Sequence, residues 1–471
     1  MRSAIVVVLG GLLGGLGSGA CGDDPARPAL PAWEKGLPAA RELGTAFAAR
    51  GLVTARGIVH LHSPYSHDAC DGDPRDASGT PNEPCLADLR AALCTTRIDF
   101  AALTDHDASM ADEDFLTLFS MRGTDQAVRN AAGEQIASRI LCADGHEVLV
   151  SVGGENDLMP IMLDRHVPGT PTERHAIYNG NDAATVAALR AAGGLVWVAH
   201  TESKPVELLR ALAPDGIEVY NLHANIDPEI RRDHLGLPAA GAISAAAEFA
   251  DTNPGHPEPD LAMLAFVAPN QPAITAWDQL LGDGRRLVAT AGSDAHQNAI
   301  PITFADGERG DSYRPVLRWF GNIALVADPR DPAQLEAALA AGRLFTVFEV
   351  LGTPLGFDVR AEAGATIFEI GADVPGGAQL VVELPRVRGL DARLPAPVIR
   401  ARVLWIEPGG AVTEVGTSTG DRLAVPMTGA GAYRVEISIT PFHLGPYLGD
   451  LGPALAGVEV PWIYVSPFYV R

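Results

Sequence analysis

The stretch GIVHLHSPYSHD, residues 57–68, combines a strand pattern with side chains that bind metals. Its apolar run ends at His60 and His62, which are two positions apart and therefore project to one side of a strand. Similar runs, separated by helical segments, are DFAALTDHD (99–107), VLVSVGGE (148–155), GLVWVAH (194–200) and LVATAGSDAH (287–296). This alternation is typical of a parallel sheet wound with helices. Because the parallel strands of an α/β barrel direct their carboxyl ends to one face, we expect a single shared pocket.

The character of the 471-residue chain changes near residue 350. Before that point, strands alternate with alanine-rich helices. After it come runs such as QLVVEL and AYRVEISI, separated by glycine and proline turns. Half-buried strands of this length must pair and cover one another. We therefore predict an α/β barrel over 41–350 and a small C-terminal β-sandwich over 351–471.

The first residues have the composition of an export signal. Residues 1–21 join Arg2 to a short apolar run and to small residues before Cys21. The apolar run is too short for a stable transmembrane helix. Its end resembles a bacterial lipoprotein cleavage site, although Ser18 stands where that pattern prefers Leu. We expect an exported protein with a lipid anchor at Cys21, facing the periplasm or cell surface, with plain secretion as the alternative. Residues 22–40, rich in proline and charge, are predicted to be a flexible tether.

The remaining cysteines are Cys70, Cys85, Cys94 and Cys142. An even number in an oxidising compartment predicts two disulfides. Sequence alone leaves three pairings open. We favour Cys70 with Cys85 and Cys94 with Cys142, whereas a buried free thiol is the alternative for Cys94 in its apolar helical run.

The formal net charge of -23 argues against nucleic acid as a partner. Neutralising a phosphate backbone requires a basic surface, and the only lysines are Lys35 and Lys204. A small-molecule phosphate or ester is the more compatible substrate. Arg165 and Arg174 are candidate groups for holding an anion, although exposed arginines are usually only solvated.

The polar residues at the strand ends are imidazoles and carboxylates without thiolates. Such sets suit divalent Zn, Mn or Fe in a catalytic site, whereas structural zinc sites usually contain Cys. An isolated HxH pair is a weak signal, but five such elements in one domain are hard to produce by chance. A bridging carboxylate permits two neighbouring cations, which lower the pKa of a shared water. The sequence thus predicts hydrolysis by a metal-bound hydroxide.

The motifs HLHSPYSHD, LTDHD, GGEN, VAHTE and AGSDAH, over residues 60–296, resemble in their order those of the PHP (polymerase and histidinol phosphatase) metallohydrolase family. The layout with a β-rich tail looks most like the branch that includes carbamate-ester hydrolases. The resemblance implies a distorted (β/α)7, TIM-like barrel with a bi- or trinuclear site. It also implies phosphoesterase or carboxyl or carbamate esterase activity with two or three cations per chain.

The resemblance further implies a role for each ligand. The expected ligands are His60, His62, Glu155 and Asp294 for the first metal; Glu155, His166 and His200 for the second; and His106, His296 and either His67 or Asp68 for the third. His175 is the alternative to His166. Asp105 is expected to orient a ligand, and the candidate catalytic carboxylates are Asp105, Glu155 and Asp294. His223 and His234 are assigned to the structure or to the pocket rim.

Two other functions fit parts of the pattern. Binuclear amidohydrolases also begin with HxH on a barrel strand, but they require a carbamylated lysine. No lysine occurs between His62 and His200, and Lys204 follows the later histidine. The second alternative is a non-catalytic, metal-binding surface lipoprotein in which the β-sandwich binds a partner.

Overall fold

The computed structural model describes residues 30–471, of which residues 33–471 form one compact unit. The predicted export signal over 1–21, with Cys21, lies outside the described residues, as do residues 22–29 of the predicted tether. Within the described part of the chain, no helix is both long and apolar enough to cross a membrane.

The unit is rich in strands, which we number in chain order. They are β1 (Val53–Leu61), β2 (Phe100–Leu103), β3 (Gln126–Arg129), β4 (Gln135–Leu141), β5 (Glu147–Val152), β6 (Leu158–Ile161), β7 (Leu195–Val198), β8 (Gly216–Asn221), β9 (Val288–Gly292), β10 (Gly321–Val326), β11 (Leu344–Val347), β12 (Pro354–Leu355), β13 (Asp358–Ala363), β14 (Thr366–Phe368), β15 (Asp373–Val374), β16 (Gln379–Glu383), β17 (Arg386–Val387), β18 (Val398–Ile406), β19 (Val412–Ser418), β20 (Arg422–Pro426), β21 (Gly431–Thr440), β22 (Val460–Val465) and β23 (Phe468–Val470).

The α-helices are numbered in the same way. They are α1 (Thr45–Ala48), α2 (Glu83–Thr95), α3 (Asp107–Met110), α4 (Pro171–Tyr178), α5 (Ala183–Ala191), α6 (Val206–Leu212), α7 (Leu222–Ile226), α8 (Pro228–Asp233), α9 (Gly241–Ala247), α10 (Gln271–Gly282), α11 (Tyr313–Trp319), α12 (Pro332–Ala341) and α13 (Gly452–Leu455). The crossover helices begin at side-chain caps: Asp182 accepts from the Thr185 amide and Asp331 from the Ala333 amide.

A 13-stranded sheet runs through the unit in the order β15-β23-β21-β22-β11-β10-β1-β2-β5-β4-β3, with β18 beside β21 and β19 beside β18. Strands β1, β2 and β5 are mutually parallel. Gly57 of β1 lies opposite Phe100 of β2, and a Cβ at Gly57 would stand only 1.9 Å from the Phe100 ring. Glycine is therefore required where this ring crosses β1.

A separate four-stranded sheet has the order β6-β7-β8-β9. Strands β7, β8 and β9 are parallel, whereas β6 runs antiparallel to β7. Single β-bridges connect this sheet to the larger one, between Leu61 and Ala295 and between Val152 and Leu163. The predicted α/β class is confirmed as a mixed fold with a large central sheet, although the described strands do not form one continuous closed barrel.

The large sheet continues into the C-terminal third of the chain because β11 pairs with β22. A further four-stranded antiparallel sheet has the order β14-β13-β16-β20. These strands confirm the β-rich character expected after residue 350. The domain boundary at 350 and the sandwich arrangement stay predictions.

Both favoured disulfides are present. Cys70 bonds to Cys85, with the Cα atoms 6.1 Å apart, and Cys94 bonds to Cys142, with the Cα atoms 5.7 Å apart. Such bonds persist in oxidising compartments, so they agree with an exported protein.

Candidate metal centre

The ends of β1, β2, β5, β7 and β9 bring seven of the predicted ligands together. They form two groups whose ligand atoms lie within 4.8 Å of one another: His60, Glu155, His200 and Asp294 in the first, and His62, Asp68 and His106 in the second. Residues from five distant parts of the sequence therefore converge, as expected where parallel strands direct their carboxyl ends to one face.

Glu155 lies between the two groups. Its Oε1 is 2.9 Å from His200 Nε2 and 3.4 Å from His60 Nε2. Its Oε2 is 3.3 Å from the Nε2 atoms of both His62 and His106. One carboxylate thus faces imidazoles of both groups with different oxygens, which is the position that a carboxylate bridging two cations would take.

Asp294 contacts three of the imidazoles that Glu155 also faces. Its Oδ1 is 3.2 Å from His62 Nε2 and 3.5 Å from His60 Nε2, and its Oδ2 is 3.5 Å from His200 Nε2. The Asp294 carboxylate also accepts from His223, 3.1 Å from Nδ1, at the start of α7. His223 therefore reaches the centre, where the sequence predicted only a structural or rim residue.

Glu218, which was not predicted as a site residue, forms hydrogen bonds to two residues of the candidate centre. This fully buried residue of β8 accepts from His60 Nδ1 at 2.7 Å with Oε1 and from the His200 amide at 2.9 Å with Oε2. The side chain of Asn221 donates to the same Oε2 at 2.9 Å. A carboxylate that accepts a hydrogen bond from one ring nitrogen of a histidine leaves the other ring nitrogen free to bind a metal. The signal was present in the sequence, as a single charged residue inside the apolar run IEVYN.

Gly292 makes room for this carboxylate. A Cβ at Gly292 would lie 1.8 Å from Glu218 Oε1 and 3.1 Å from His60 Nδ1. Any larger residue at the end of β9 would displace the hydrogen bond that orients His60.

The turn after β1 supplies Asp68 to the second group. Its Oδ1 accepts from Ser66 Oγ at 2.6 Å, and its Oδ2 lies 3.3 Å from His106 Nε2. The neighbouring His67 is exposed, and its ring centre is 5.0 Å from that of His106. Of the two candidates in this turn, the structure therefore brings Asp68 into the cluster.

The same turn is tied to the loop that follows β9. The Cys70 amide donates to the His296 carbonyl at 2.8 Å, and the Asp71 amide to the Gln297 carbonyl at 2.9 Å. His296 itself lies at the edge of the second group, with Nε2 3.9 Å from Asp68 Oδ2. The disulfide of Cys70 thus closes a segment that begins two residues after Asp68 and bonds to the backbone of His296.

Asp105 does not face the cluster. Its two oxygens accept from the amide and the hydroxyl of Ser63, at 2.6 and 2.7 Å. Burial raises the pKa of the Asp105 carboxyl to about 6, against the opposing effect of these Ser63 hydrogen bonds. The residue therefore holds the turn next to His62 and is in neither ligand group, while its orienting role and its catalytic role stay predictions.

His166, expected as a ligand, lies outside both groups. Its Nδ1 contacts the Tyr178 hydroxyl at 3.1 Å, and its Nε2 contacts the Glu113 carbonyl at 3.0 Å. The physical reason is strand direction. His166 follows β6, which runs antiparallel to β7, so the end of β6 points away from the edge where the parallel strands end.

Three further candidate residues, His175, Arg165 and Arg174, also have partners outside the two ligand groups. His175 contacts the carboxylates of Asp107 and Asp112, both at 3.1 Å. The guanidinium groups of Arg165 and Arg174 donate to the Ala191 and Ala111 carbonyls. These contacts give no support to His175 as a ligand, nor to either arginine as a group that holds an anion.

The charges of the centre match the requirements of bound cations. Burial lowers the pKa of His60, but Glu218, Glu155 and Asp294 outweigh burial and raise it to about 10. Burial raises the pKa of Asp294, yet the surrounding imidazoles hold it well below its usual range. The buried Nε2 atoms of His60 and His62 lack a hydrogen-bond partner among the described residues. Orphaned imidazole nitrogens that face carboxylates fit divalent metal ions.

Two of the ligand positions adopt strained backbone conformations. His200 has φ 49° and Asp294 has φ 50°, in the left-handed region that non-glycine residues rarely occupy. Hydrogen bonds hold both, because the His200 amide donates to Glu218 and the Asp294 amide donates to the His60 carbonyl at 3.2 Å. Strain of this kind is concentrated at functional sites.

A third acidic group, Asp260, Asp306 and Glu308, could also hold a cation by distance alone. Protein cations already lie among its carboxylates. Lys35 pairs with Asp306, and Arg314 contacts Asp260 at 3.2 Å and Glu308 at 2.7 Å. We refer to these three acidic residues as the ion-pair cluster.

Comparisons with known proteins leave the family open. No protein-family profile matches the chain, and no curated protein matches it. Among solved structures, PsfC from Pseudomonas syringae PB-5123 aligns over 57% of this chain and 82% of its own, with 12% identity and a TM-score of 0.29. A similarity at this level carries no argument about fold or function.

Proposed function

We propose that the chain is a metal-dependent hydrolase of phosphate, carboxyl or carbamate esters, of the PHP type, with two or three Zn, Mn or Fe ions. The observation that supports this most is the position of Glu155. Its two oxygens face imidazoles of two separate ligand groups, which suits a carboxylate shared between neighbouring cations.

Cations held there would lower the pKa of water and polarise the ester oxygen. The residues of the chain supply the geometry. Glu218 orients His60, and Asp105 holds the turn that presents His62. His223 reaches the Asp294 carboxylate from the open side, with its side chain 40% exposed, where a substrate would enter.

The proposal includes the finer architecture. Strands β1, β2, β5, β6, β7, β8 and β9 would form the distorted seven-stranded barrel, with the bridges Leu61–Ala295 and Val152–Leu163 in support of its closure. The strands after residue 350 would form the sandwich. The paired cysteines support export, and a lipid at Cys21 would anchor the chain to the membrane.

The test combines metal analysis with a substrate panel. We expect two or three equivalents of metal in the purified protein, together with hydrolysis of a phosphate, carboxyl or carbamate ester. A chelator should abolish turnover, and added Zn, Mn or Fe should restore it. Glu155→Gln should lose both metal and turnover, whereas Glu207→Gln, at an exposed position on α6, should lose neither.

Two outcomes would contradict the proposal. Protein that binds no metal after incubation with these ions would exclude the metal centre. Protein that holds metal but turns over no ester of the panel would favour the non-catalytic, metal-binding surface protein instead.

A further inference from the structure

A pocket beside the metal centre has walls of two kinds. It is small and partly open to solvent. Asp294, His296 and His223 of the candidate metal centre line it, together with apolar side chains that include Ile226, Ile300, Val316 and Trp319. We propose that the substrate carries a short, uncharged hydrocarbon group that lies against these apolar walls.

The polar groups around these apolar side chains are already satisfied. Trp319 is fully buried, and its indole nitrogen donates to the Asp260 carbonyl at 2.8 Å, so it offers only ring carbons to the pocket. The Asp311 carboxylate accepts from the amides of Ala299 and Ile300, both at 2.7 Å. A polar substituent placed here would lose its water without gaining a partner, which is unfavourable.

The charge of the pocket favours the same conclusion. Among the described residues that line it, none is Lys or Arg, and the Asp311 carboxylate is already paired with Arg309, 2.5 Å from its Nε. The pocket therefore offers no Lys or Arg to pair with a second anionic group on the substrate, while a hydrocarbon group gains from leaving water. This restricts the class to esters with a short apolar group.

This inference rests on the proposed hydrolase activity. In the reaction, the bond between the acyl carbon or phosphorus and the leaving oxygen breaks, and the oxygen of water takes its place. A proton of that water goes to the leaving oxygen, so the products are an acid and an alcohol. The apolar group belongs to one of these two products.

The experiment compares substrates that differ by two methylenes: ethyl acetate with ethyl butyrate, and ethyl phosphate with butyl phosphate. Burial of each methylene is expected to raise kcat/KM about fourfold, or about 15-fold for the pair. Acetate and butyrate binding to the same metal-loaded protein, measured by calorimetry, should show a similar preference. The binding measurement does not depend on turnover.

Ala299→Phe should fill the mouth of the pocket and remove the preference for the longer chain. Ala299 is exposed, so the change leaves the core intact, and Ala327→Phe, at an exposed position after β10, is the matched control. If Ala299→Phe does not fold, Ile226→Ser at the partly buried rim replaces it and should reduce the preference several-fold.

The two proposals fail in different ways. Equal binding of acetate and butyrate, with equal kcat/KM within the substrate pairs, would overturn the pocket assignment even if the protein hydrolyses esters. Tighter binding of butyrate, abolished by Ala299→Phe, would support the pocket. If no ester were turned over at the same time, only the hydrolase proposal would fail.

Discussion

The candidate metal centre and the ion-pair cluster both bring carboxylates close together but differ in how their negative charge is balanced. Each brings at least three candidate ligand atoms within 4.8 Å of one another. In the ion-pair cluster, Lys35 and Arg314 lie between the carboxylates. In the metal centre, the carboxylates face imidazoles, and two buried Nε2 atoms lack a partner among the described residues.

The comparison shows which feature distinguishes a candidate metal site from a stabilising network. A high density of carboxylates does not by itself indicate a metal site. The buried Asp260 carboxylate, for example, accepts hydrogen bonds from Arg314 and from the indole N–H of Trp33, at 2.7 Å for the indole. Histidine binds a metal only in its neutral form, and Asp and Glu bind it as anions. A ligand set of these residues contains no side chain, such as the guanidinium of Arg, that is always positively charged. A bound metal ion can balance such a site, and in its place the imidazoles hold protons, because the carboxylates raise the pKa of His60 to about 10.

The largest effect is expected from removing a ligand of the metal centre. His60→Ala or Asp294→Ala should strip bound metal and lower turnover by at least about 1000-fold, because cations supply several kcal/mol of transition-state stabilisation. Elemental analysis and kcat/KM measure the two effects. His166→Gln is the matched control, and unchanged metal content in both ligand variants would contradict the assignment.

A substitution in the ion-pair cluster should lower the stability of the protein and leave its metal content unchanged. Arg314→Met leaves the buried Asp260 without its main partner, so the free energy of unfolding should fall by about 3 kcal/mol, with metal content unchanged. Urea unfolding measures this loss. Arg393→Met breaks an exposed pair with Asp391, and we expect no measurable loss of stability. Loss of metal in Arg314→Met would remove the distinction between the two clusters.

A smaller effect on metal binding is expected from a substitution of Glu218. This residue bonds to Nδ1 of His60 and does not face the Nε2 atoms that lack a hydrogen-bond partner. Glu218→Gln keeps the shape but removes the charge behind His60, so metal affinity should fall about 10- to 100-fold. Competition with a chelator of known affinity measures the change. Glu414→Gln, at an exposed position in β19, should leave the affinity unaltered. An unchanged affinity in Glu218→Gln would assign Glu218 to packing alone.

Much of the centre follows from strand direction, which a sequence can reveal. The residues at the ends of β1, β2, β5, β7 and β9 converge because these strands end close together, and the apolar runs made that visible. His166 could not be placed in this way, because nothing in the sequence marks β6 as antiparallel. The choice between His67 and Asp68 depends on the conformation of one turn, which periodicity does not determine.

The remaining differences concern sheet connectivity and single polar residues. Pairing of β11 with β22 joins the first 350 residues to the tail in one sheet, and such long-range pairing leaves no local signal. Glu218 was overlooked because it is not at a strand end, where ligands were sought. A charged residue in an otherwise buried strand is nevertheless informative, since burying it requires partners.

The disulfide between Cys70 and Cys85 has a consequence for when the protein matures. It closes the segment that begins two residues after Asp68 and that bonds to the loop of His296. Before oxidation, that segment lacks this covalent constraint, so the second ligand group would be incompletely ordered. Complete ordering of the second ligand group would then require an oxidising environment, in which such disulfides persist.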